Sequence, residues 1–245
     1  MLEVSNINFT QKNRKGEFSI KDVNFTLEDG MFMCLLGKNG AGKTTLLNLI
    51  YGISKLYSGW IRWNGKRVDI QNIHEFHSDV AYVGNEEWCF SWMTMSENLE
   101  ILSCLYENFD RQLYLKLLES FDLNEEDVNK RYLLLSSGQK VKFQLAFAMA
   151  RRPKLLLLDE PFANLDPVIK TDLMDILQKS VRNDDMSLII STHLIDDIAD
   201  ISDYIGILVD GEMKLFSDME SVMEEYKNMD LKTLMIEIGG NSTWT

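Results

Sequence analysis

With 245 residues, 45% of them hydrophobic and 26% charged, the chain holds enough apolar content to bury a large core, which excludes wholesale disorder. Its 38 acids against 25 bases give a formal charge of −13. A duplex-binding surface needs clustered positive charge, so nucleic acid is excluded as the main partner.

Three cysteines, Cys34, Cys89 and Cys104, show no C-x-x-C spacing, so neither a disulfide scaffold nor a thiolate zinc site is expected. No apolar run approaches the roughly 18–20 residues of a bilayer span, and the first residues lack a basic segment followed by an apolar one. A cytosolic chain is therefore expected. The first thirty residues predict short alternating strands, with Ile20, Val23, Phe25 and Leu27 separated by polar residues and a turn at Asp29-Gly30. The continuous apolar run Phe32–Leu36 predicts a strand covered on both faces. A Gly-rich turn over 37–42 leads into a helix from Lys43 to about Tyr51. Residues 57–70, with Ser58-Gly59 and Asn64-Gly65, predict strands and a hairpin.

From about 86 to 150 the periodicity is helical, carried by Leu99, Leu102 and Leu105 and by Leu113, Leu117, Leu118 and Phe121. Leu155–Leu158, Leu188–Ile190 and Tyr204–Val209 read as short buried strands, with a helix over about Val168–Val181 between the first two. Strands alternating with helices predict an α/β fold with a parallel sheet and a helical lobe inserted in its middle. Residues 196–230 hold 11 acids and 2 lysines and read as a solvated outer face.

Gly37-Lys38-Asn39-Gly40-Ala41-Gly42-Lys43-Thr44 matches the phosphate-binding pattern G-x-x-x-x-G-K-[ST], placed between a buried strand and a helix. There the backbone N–H groups of the loop and the helix N-terminus converge on one anion. Lys43 would reach the β- and γ-phosphates, and the Thr44 hydroxyl would bind Mg²⁺; Thr45 is counted with the ATP-binding residues. Leu155–Leu158 followed by Asp159-Glu160-Pro161 ends a buried strand in two carboxylates at its carboxyl edge, where ligands of open α/β sheets bind. Asp159 suits the Mg²⁺ shell and Glu160 a general base on an attacking water.

Three further segments narrow the class: Leu135-Ser136-Ser137-Gly138-Gln139 ahead of a helical run, Phe162-Ala163-Asn164-Leu165-Asp166 after Glu160, and Ser191-Thr192-His193 at the end of the next strand. Together with the loop and the two acids, these resemble the ATP-binding cassette (ABC) ATPases from Leu2 to about Ser221. The resemblance implies a P-loop NTPase core with a mainly parallel sheet, an N-terminal antiparallel β subdomain and an inserted α-helical subdomain. It implies one domain over 1–228, with 1–84 and 152–228 as core and β subdomain, about 85–151 as helical subdomain, and 229–245 as a C-terminal tail. By position, Ser136, Ser137, Gly138 and Gln139 resemble the signature that contacts ATP held by the other subunit, and Asp166 the aspartate that communicates across the dimer. His193 resembles the histidine that contacts the γ-phosphate, and Glu160 the catalytic glutamate. Ser137 replaces the usual first glycine of the signature. Asn85 stands where the family has a glutamine that touches Mg²⁺ and couples to the membrane partner. Gln11 falls at the position of the adenine-stacking aromatic, with Phe9 and Phe18 nearby. Trp88, Phe90, Trp92, Met93 and Met95 lie where the family forms its groove for a permease's coupling helix, although packing of the helical lobe accounts for them equally well.

The resemblance thus implies an ATPase subunit, working with ATP and Mg²⁺, that powers a separate permease from the cytoplasmic face of the membrane by head-to-tail closure of a homodimer or heterodimer. Exporters of drug, peptide or bacteriocin-like cargo resemble it most over Leu35–Asn48 and Asp203–Leu215. The alternative is a soluble ABC ATPase with soluble partners, for example in iron–sulfur cluster assembly. Only 114 residues separate Thr44 from Asp159, which leaves no room for the long coiled coil of the chromosome-maintenance proteins, and a single phosphate loop is unlike the two-cassette translation factors.

Overall fold

Two 12-residue strands, β1 (Leu2–Asn13) and β2 (Gly16–Leu27), pair antiparallel where shorter strands were expected. A computed structural model describes the chain except residues 14–15, 55–57, 85–87, 164, 185, 194–200, 227–228 and 240–245. The strict alternation that marks a strand breaks in both partners: Val4 and Ile7, and Ile20 and Val23, stand three apart, yet all four are buried. Left-handed backbone at Asn6 (φ 50°) and Asp22 (φ 46°) absorbs the extra residues as bulges. Side chains seal them. The Asn6 N–H donates to Asn24 Oδ1 at 2.8 Å, and the Asp22 N–H to Asn8 Oδ1 at 3.0 Å.

The remaining strands are β3 (Phe32–Leu36), β4 (Ser58–Trp63), β5 (Lys66–Arg67), β6 (Val80–Val83), β7 (Leu155–Asp159), β8 (Ser187–Thr192), β9 (Tyr204–Val209) and β10 (Glu212–Asp218). They form one sheet in the order β5-β4-β1-β2-β10-β9-β3-β8-β7-β6. The run from β9 to β6 is wholly parallel, whereas β5, β4, β1 and β2 are antiparallel. A single parallel pairing, Glu212 with Lys21, joins the two parts. This is a P-loop NTPase fold of the α/β class, with the N-terminal antiparallel layer that the resemblance implied.

Helices cover both faces. They are α1 (Lys43–Tyr51), α2 (Ile73–Asp79), α3 (Met95–Ser103), α4 (Arg111–Ser120), α5 (Glu125–Val128), α6 (Ser137–Ala150), α7 (Pro167–Asp184), α8 (Met219–Glu225) and α9 (Leu231–Gly239). Alternate residues of the central strands divide between two cores. Met33, Leu35, Leu155 and Leu157 pack with Leu46, Leu47 and Ile50 of α1. Phe32, Leu36, Leu156 and Leu158 pack with Phe143 of α6 and Leu173 and Leu177 of α7. Burial on both faces is why these strands read as unbroken apolar runs. It also pushes the Cys34 thiol up to about 12, so that side chain acts as a small hydrophobe.

One expectation is extended and another changes. Acids within 196–230 do more than face solvent. Asp203 accepts the Phe32 N–H at 2.8 Å, fixing the start of β3. Asp218 caps α8 through the Ser221 N–H, and Asp230 accepts the Thr233 N–H at the start of α9. These backbone donors hold both carboxyls below the usual carboxylate range. Residues 196–200 of that stretch lie outside the described residues. The segment from 229, read as a tail, contains α9, whose Leu234 and Met235 are buried in the larger core. A short apolar helix following an acidic cap carries too little periodicity to stand out from the sequence. No described helix is long and apolar enough to cross a membrane.

Candidate nucleotide site

The loop 37–42 connects β3 to α1, so it sits at the carboxyl edge of the central strand. Gly42 is the N-cap of α1, with φ 109°. A Cβ there would stand 2.6 Å from Phe18 Cζ and 2.7 Å from Ile20 Cδ1, so glycine is required on both conformational and steric grounds. Phe18, rather than Gln11, is thus the aromatic against the loop; Gln11 faces it across the β1–β2 ladder. The Ala41 N–H donates to Lys38 O at 3.0 Å and closes the turn, and Ala41 O accepts the Gly211 N–H at 2.9 Å. Asn39, Gly40 and Thr44 are exposed, Lys38 and Thr45 half-buried, and Gly37, Ala41, Gly42 and Lys43 buried.

Lys43, 4% exposed, folds back over its own loop. Its Nζ donates to Gly37 O at 2.7 Å and Lys38 O at 3.1 Å and lies 3.0 Å from Glu160 Oε1. The other oxygen of Glu160, Oε2, is 3.1 Å from His193 Nδ1. A buried ammonium needs such a counter-ion, and its hydrogen bonds complete the compensation. Three residues from a span of 150 positions, Lys43 to His193, therefore meet in one chain of contacts. β8 brings this about by lying between β3 and β7 in the sheet order. Glu160 itself takes a left-handed backbone, φ 48°, which turns the chain sharply off the end of β7. Its N–H donates to both Ser191 O and Ser191 Oγ at 3.1 Å.

Asp159 is 1% exposed. Its Oδ1 accepts the Ser191 hydroxyl at 2.6 Å, while its Oδ2 is buried with no hydrogen-bond partner among the described residues. An orphaned carboxylate oxygen in a dry site fits a hard cation, and with the Thr44 hydroxyl the donors are all oxygen, as Mg²⁺ requires. Asn85 lies outside the described residues. Ser191 was read from the sequence only as part of a strand end. Its contact depends on the β7–β8 register, which pairs it with Asp159.

The segment Ser136–Gln139 is a helix N-terminus with a capping box. Ser136 Oγ accepts the Gln139 N–H at 3.2 Å, and Gln139 Oε1 accepts the Ser136 N–H at 3.0 Å. Gln139 Nε2 also donates to Asp127 at 2.6 Å. Burial raises the Asp127 carboxyl, but the hydrogen bonds from Lys130 and from the Asn124 N–H outweigh it and leave the group below its usual value. The Gln139 amide is thus committed within its own chain, while Ser136 and Ser137 are exposed. Gly138 is buried against Leu165 and Ile169, which sets the signature beside the turn where Asp166 caps α7 through the Ile169 N–H at 3.1 Å.

The aromatic cluster after residue 85 divides. Trp88 lines a cavity of about 340 Å³ with Tyr51, Tyr82, Tyr106, Phe147 and Arg151, between the core and the helical lobe. Cys89 and Met95 are buried in the lobe, and Trp92 is 62% exposed beside Phe90. The capping box of Thr94 and Glu97 fixes the start of α3, on which Met95 alone of this cluster lies.

A family model described as ABC transporter matches residues 20–163. The chain is 33% identical over 211 residues to the ABC transporter ATP-binding protein YtrB of Bacillus subtilis, covering 86% of this chain and 70% of that protein. It is 34% identical over 198 residues to the aliphatic sulfonates import ATP-binding protein SsuB of Bacillus licheniformis, covering 79% and 75%. The dimeric structure of a post-hydrolysis state of the ATP-binding cassette MJ0796, bound to ADP and Pi, matches with a TM-score of 0.80 at 26% identity, over 89% of this chain and 99% of that one. With more than half of its length matched and the loop, acids and histidine gathered at one sheet edge, the chain belongs to the ABC transporter family, as one of its ATP-hydrolysing cassettes.

Proposed function

We propose that the chain binds ATP on loop 37–45 and hydrolyses it to power a separate permease, from the cytoplasmic face of a membrane. The observation that carries this reading is the contact chain Lys43–Glu160–His193 at the mouth of the loop. Arriving phosphates would draw Lys43 from Glu160, since a polyphosphate offers more charge than one carboxylate. Glu160, released but still beside His193, would orient a water and accept its proton for in-line attack on the γ-phosphorus. Lys43 and His193 would stabilise charge on the transferred group. Asp159 and Thr44, with Asn85, would hold Mg²⁺, which neutralises charge on the β- and γ-phosphate oxygens.

Completion of the site would come from a second cassette, identical or homologous, set head-to-tail, with Ser136 to Gln139 and Asp166 of the partner subunit facing the ATP. The dimeric MJ0796 cassette supports this arrangement, and so does the exposed, dipole-bearing N-terminus of α6. The committed amide of Gln139 makes it a support of that surface and leaves Ser136 and Ser137 to face phosphate. Residues 1–84 and 152–228 are read as core and β layer, 85–151 as the helical lobe, with α9 packed on the same core. Aromatic side chains around Trp88 would take a helix of the permease. Resemblance to exporters over Leu35–Asn48 and Asp203–Leu215 favours export of drug, peptide or bacteriocin-like cargo; similarity to a sulfonate-import protein favours uptake as the second reading.

Glu160→Gln keeps the side chain's size and removes the base. Phosphate release should fall about 100-fold or more, and light scattering at saturating Mg-ATP should report a dimer. A nucleotide-loaded monomer would overturn the shared-site arrangement. The transport reading is tested by isolating the tagged chain from gently solubilised membranes. A polytopic membrane protein is expected with it, and its own sequence then decides between export and uptake. A purely soluble set of partners would reject the permease.

A further inference from the structure

The Ser191 hydroxyl occupies a position that no step above uses. It is wholly buried at the β7–β8 boundary, and the parallel register sets Ser191 opposite Asp159 on one side and Leu35, near the end of β3, on the other. Its donor and one acceptor lone pair are both engaged. The O–H donates to Asp159 Oδ1 at 2.6 Å, a short, charge-assisted bond. The oxygen accepts the Glu160 N–H at 3.1 Å. One hydroxyl thus touches two consecutive residues, the first a carboxylate suited to a cation and the second the expected base in its left-handed turn.

We propose that Ser191 is a positioning residue that presets the Asp159 carboxylate for a divalent cation and holds the turn carrying Glu160. This rests on Asp159 being a cation ligand. With Oδ1 committed to Ser191, the carboxylate is locked in rotation, and Oδ2 is left as the uncommitted oxygen. Preorganisation of this kind lowers the ordering required when the cation arrives. An apolar residue at 191 would leave both Asp159 oxygens without a donor in a buried site, so the carboxylate would turn to seek one. A residue that merely fills the sheet would need no hydroxyl, because a strand of this burial accepts alanine or valine.

The test follows binding of a fluorescent ATP analogue while Mn²⁺ is titrated, with Mn²⁺ occupancy read by electron paramagnetic resonance and a metal-free baseline in chelator. For Ser191→Ala, chelator-phase nucleotide affinity should stay within about twofold of wild type, while the Mn²⁺ concentration for half-occupancy rises about tenfold, as expected for one charged hydrogen bond. Ser191→Thr should restore the wild-type value. Ser191→Cys keeps the volume with a weaker donor and should shift the titration in the same direction, so the test stands even where alanine prevents folding. A wild-type Mn²⁺ titration in folded Ser191→Ala or Ser191→Cys, with or without a lower melting temperature, overturns the proposal, as does a folded Ser191→Thr that fails to restore it. Asp159→Asn separates the layers. If it too leaves Mn²⁺ binding unchanged, the cation assignment of Asp159 fails; if it alone abolishes binding, only the role of Ser191 fails.

Discussion

Lys43→Ala should reduce phosphate release by about 100- to 1,000-fold at saturating Mg-ATP, the scale set by removing one preorganised donor from a site of developing negative charge. Nucleotide affinity should fall as well, because the ammonium is the main cation of the loop. Fold stability responds differently. Nζ donates to two loop carbonyls and pairs with Glu160. Its removal leaves a partly buried carboxylate beside His193 with one counter-ion fewer, a loss of about 1–3 kcal/mol. Single-turnover assays with a denaturation curve on the same preparation check both. Undiminished turnover in a folded Lys43→Ala protein would remove the loop from the catalytic centre.

Gly211→Ala should be among the most damaging single substitutions for folding. Asp210 and Gly211 form the two-residue turn between β9 and β10, with φ of 47° and 81°, a pair of left-handed positions suited to a hairpin. A Cβ on residue 211 would lie 1.8 Å from Ser19 O, a backbone atom of β2 that cannot swing aside. The cost combines a left-handed penalty of about 1–2 kcal/mol with displacement of the strand, for a total of about 3 kcal/mol or more. Gly30 is the control: its φ of 70° carries the same conformational penalty, but nothing lies within 4 Å of its Cβ position. Chemical denaturation should therefore show Gly30→Ala losing about 1–2 kcal/mol and Gly211→Ala clearly more. Equal losses would assign both effects to backbone strain alone. Because the Gly211 N–H supports Ala41 O, surviving Gly211→Ala protein should also bind nucleotide more weakly.

The phosphate loop and the acid pair are legible in the sequence because their geometry is local. A glycine spacing dictates one backbone path, and an apolar run ending in two acids dictates a strand end. The same holds for Ser136 and Gln139, whose side chains satisfy each other's backbone within one turn. What was not legible depends on register and strand order. Ser191 reaches Asp159 across 32 positions only because β8 lies beside β7, and Phe18 reaches Gly42 only because the β1–β2 hairpin leans on the loop. The bulges at Asn6 and Asp22 hid two long strands as several short ones, since one inserted residue reverses the alternation. Over 196–230 the described acids are mostly exposed, as composition implied; what composition could not show is that Asp203, Asp218 and Asp230 also accept backbone N–H groups at a strand entrance and two helix starts.

The pairing of Lys43 with Glu160 also bears on how fast nucleotide arrives. Before ATP binds, the strongest positive charge of the loop is neutralised at 3.0 Å, in a chain whose formal charge is −13. An incoming polyanion therefore meets a chain of net negative charge, while the loop's backbone N–H groups and the start of α1 attract it only at close range, so association is opposed at a distance and favoured on contact. Added salt screens that field over about a Debye length and quickens the encounter, the reverse of an enzyme that draws its substrate in by charge.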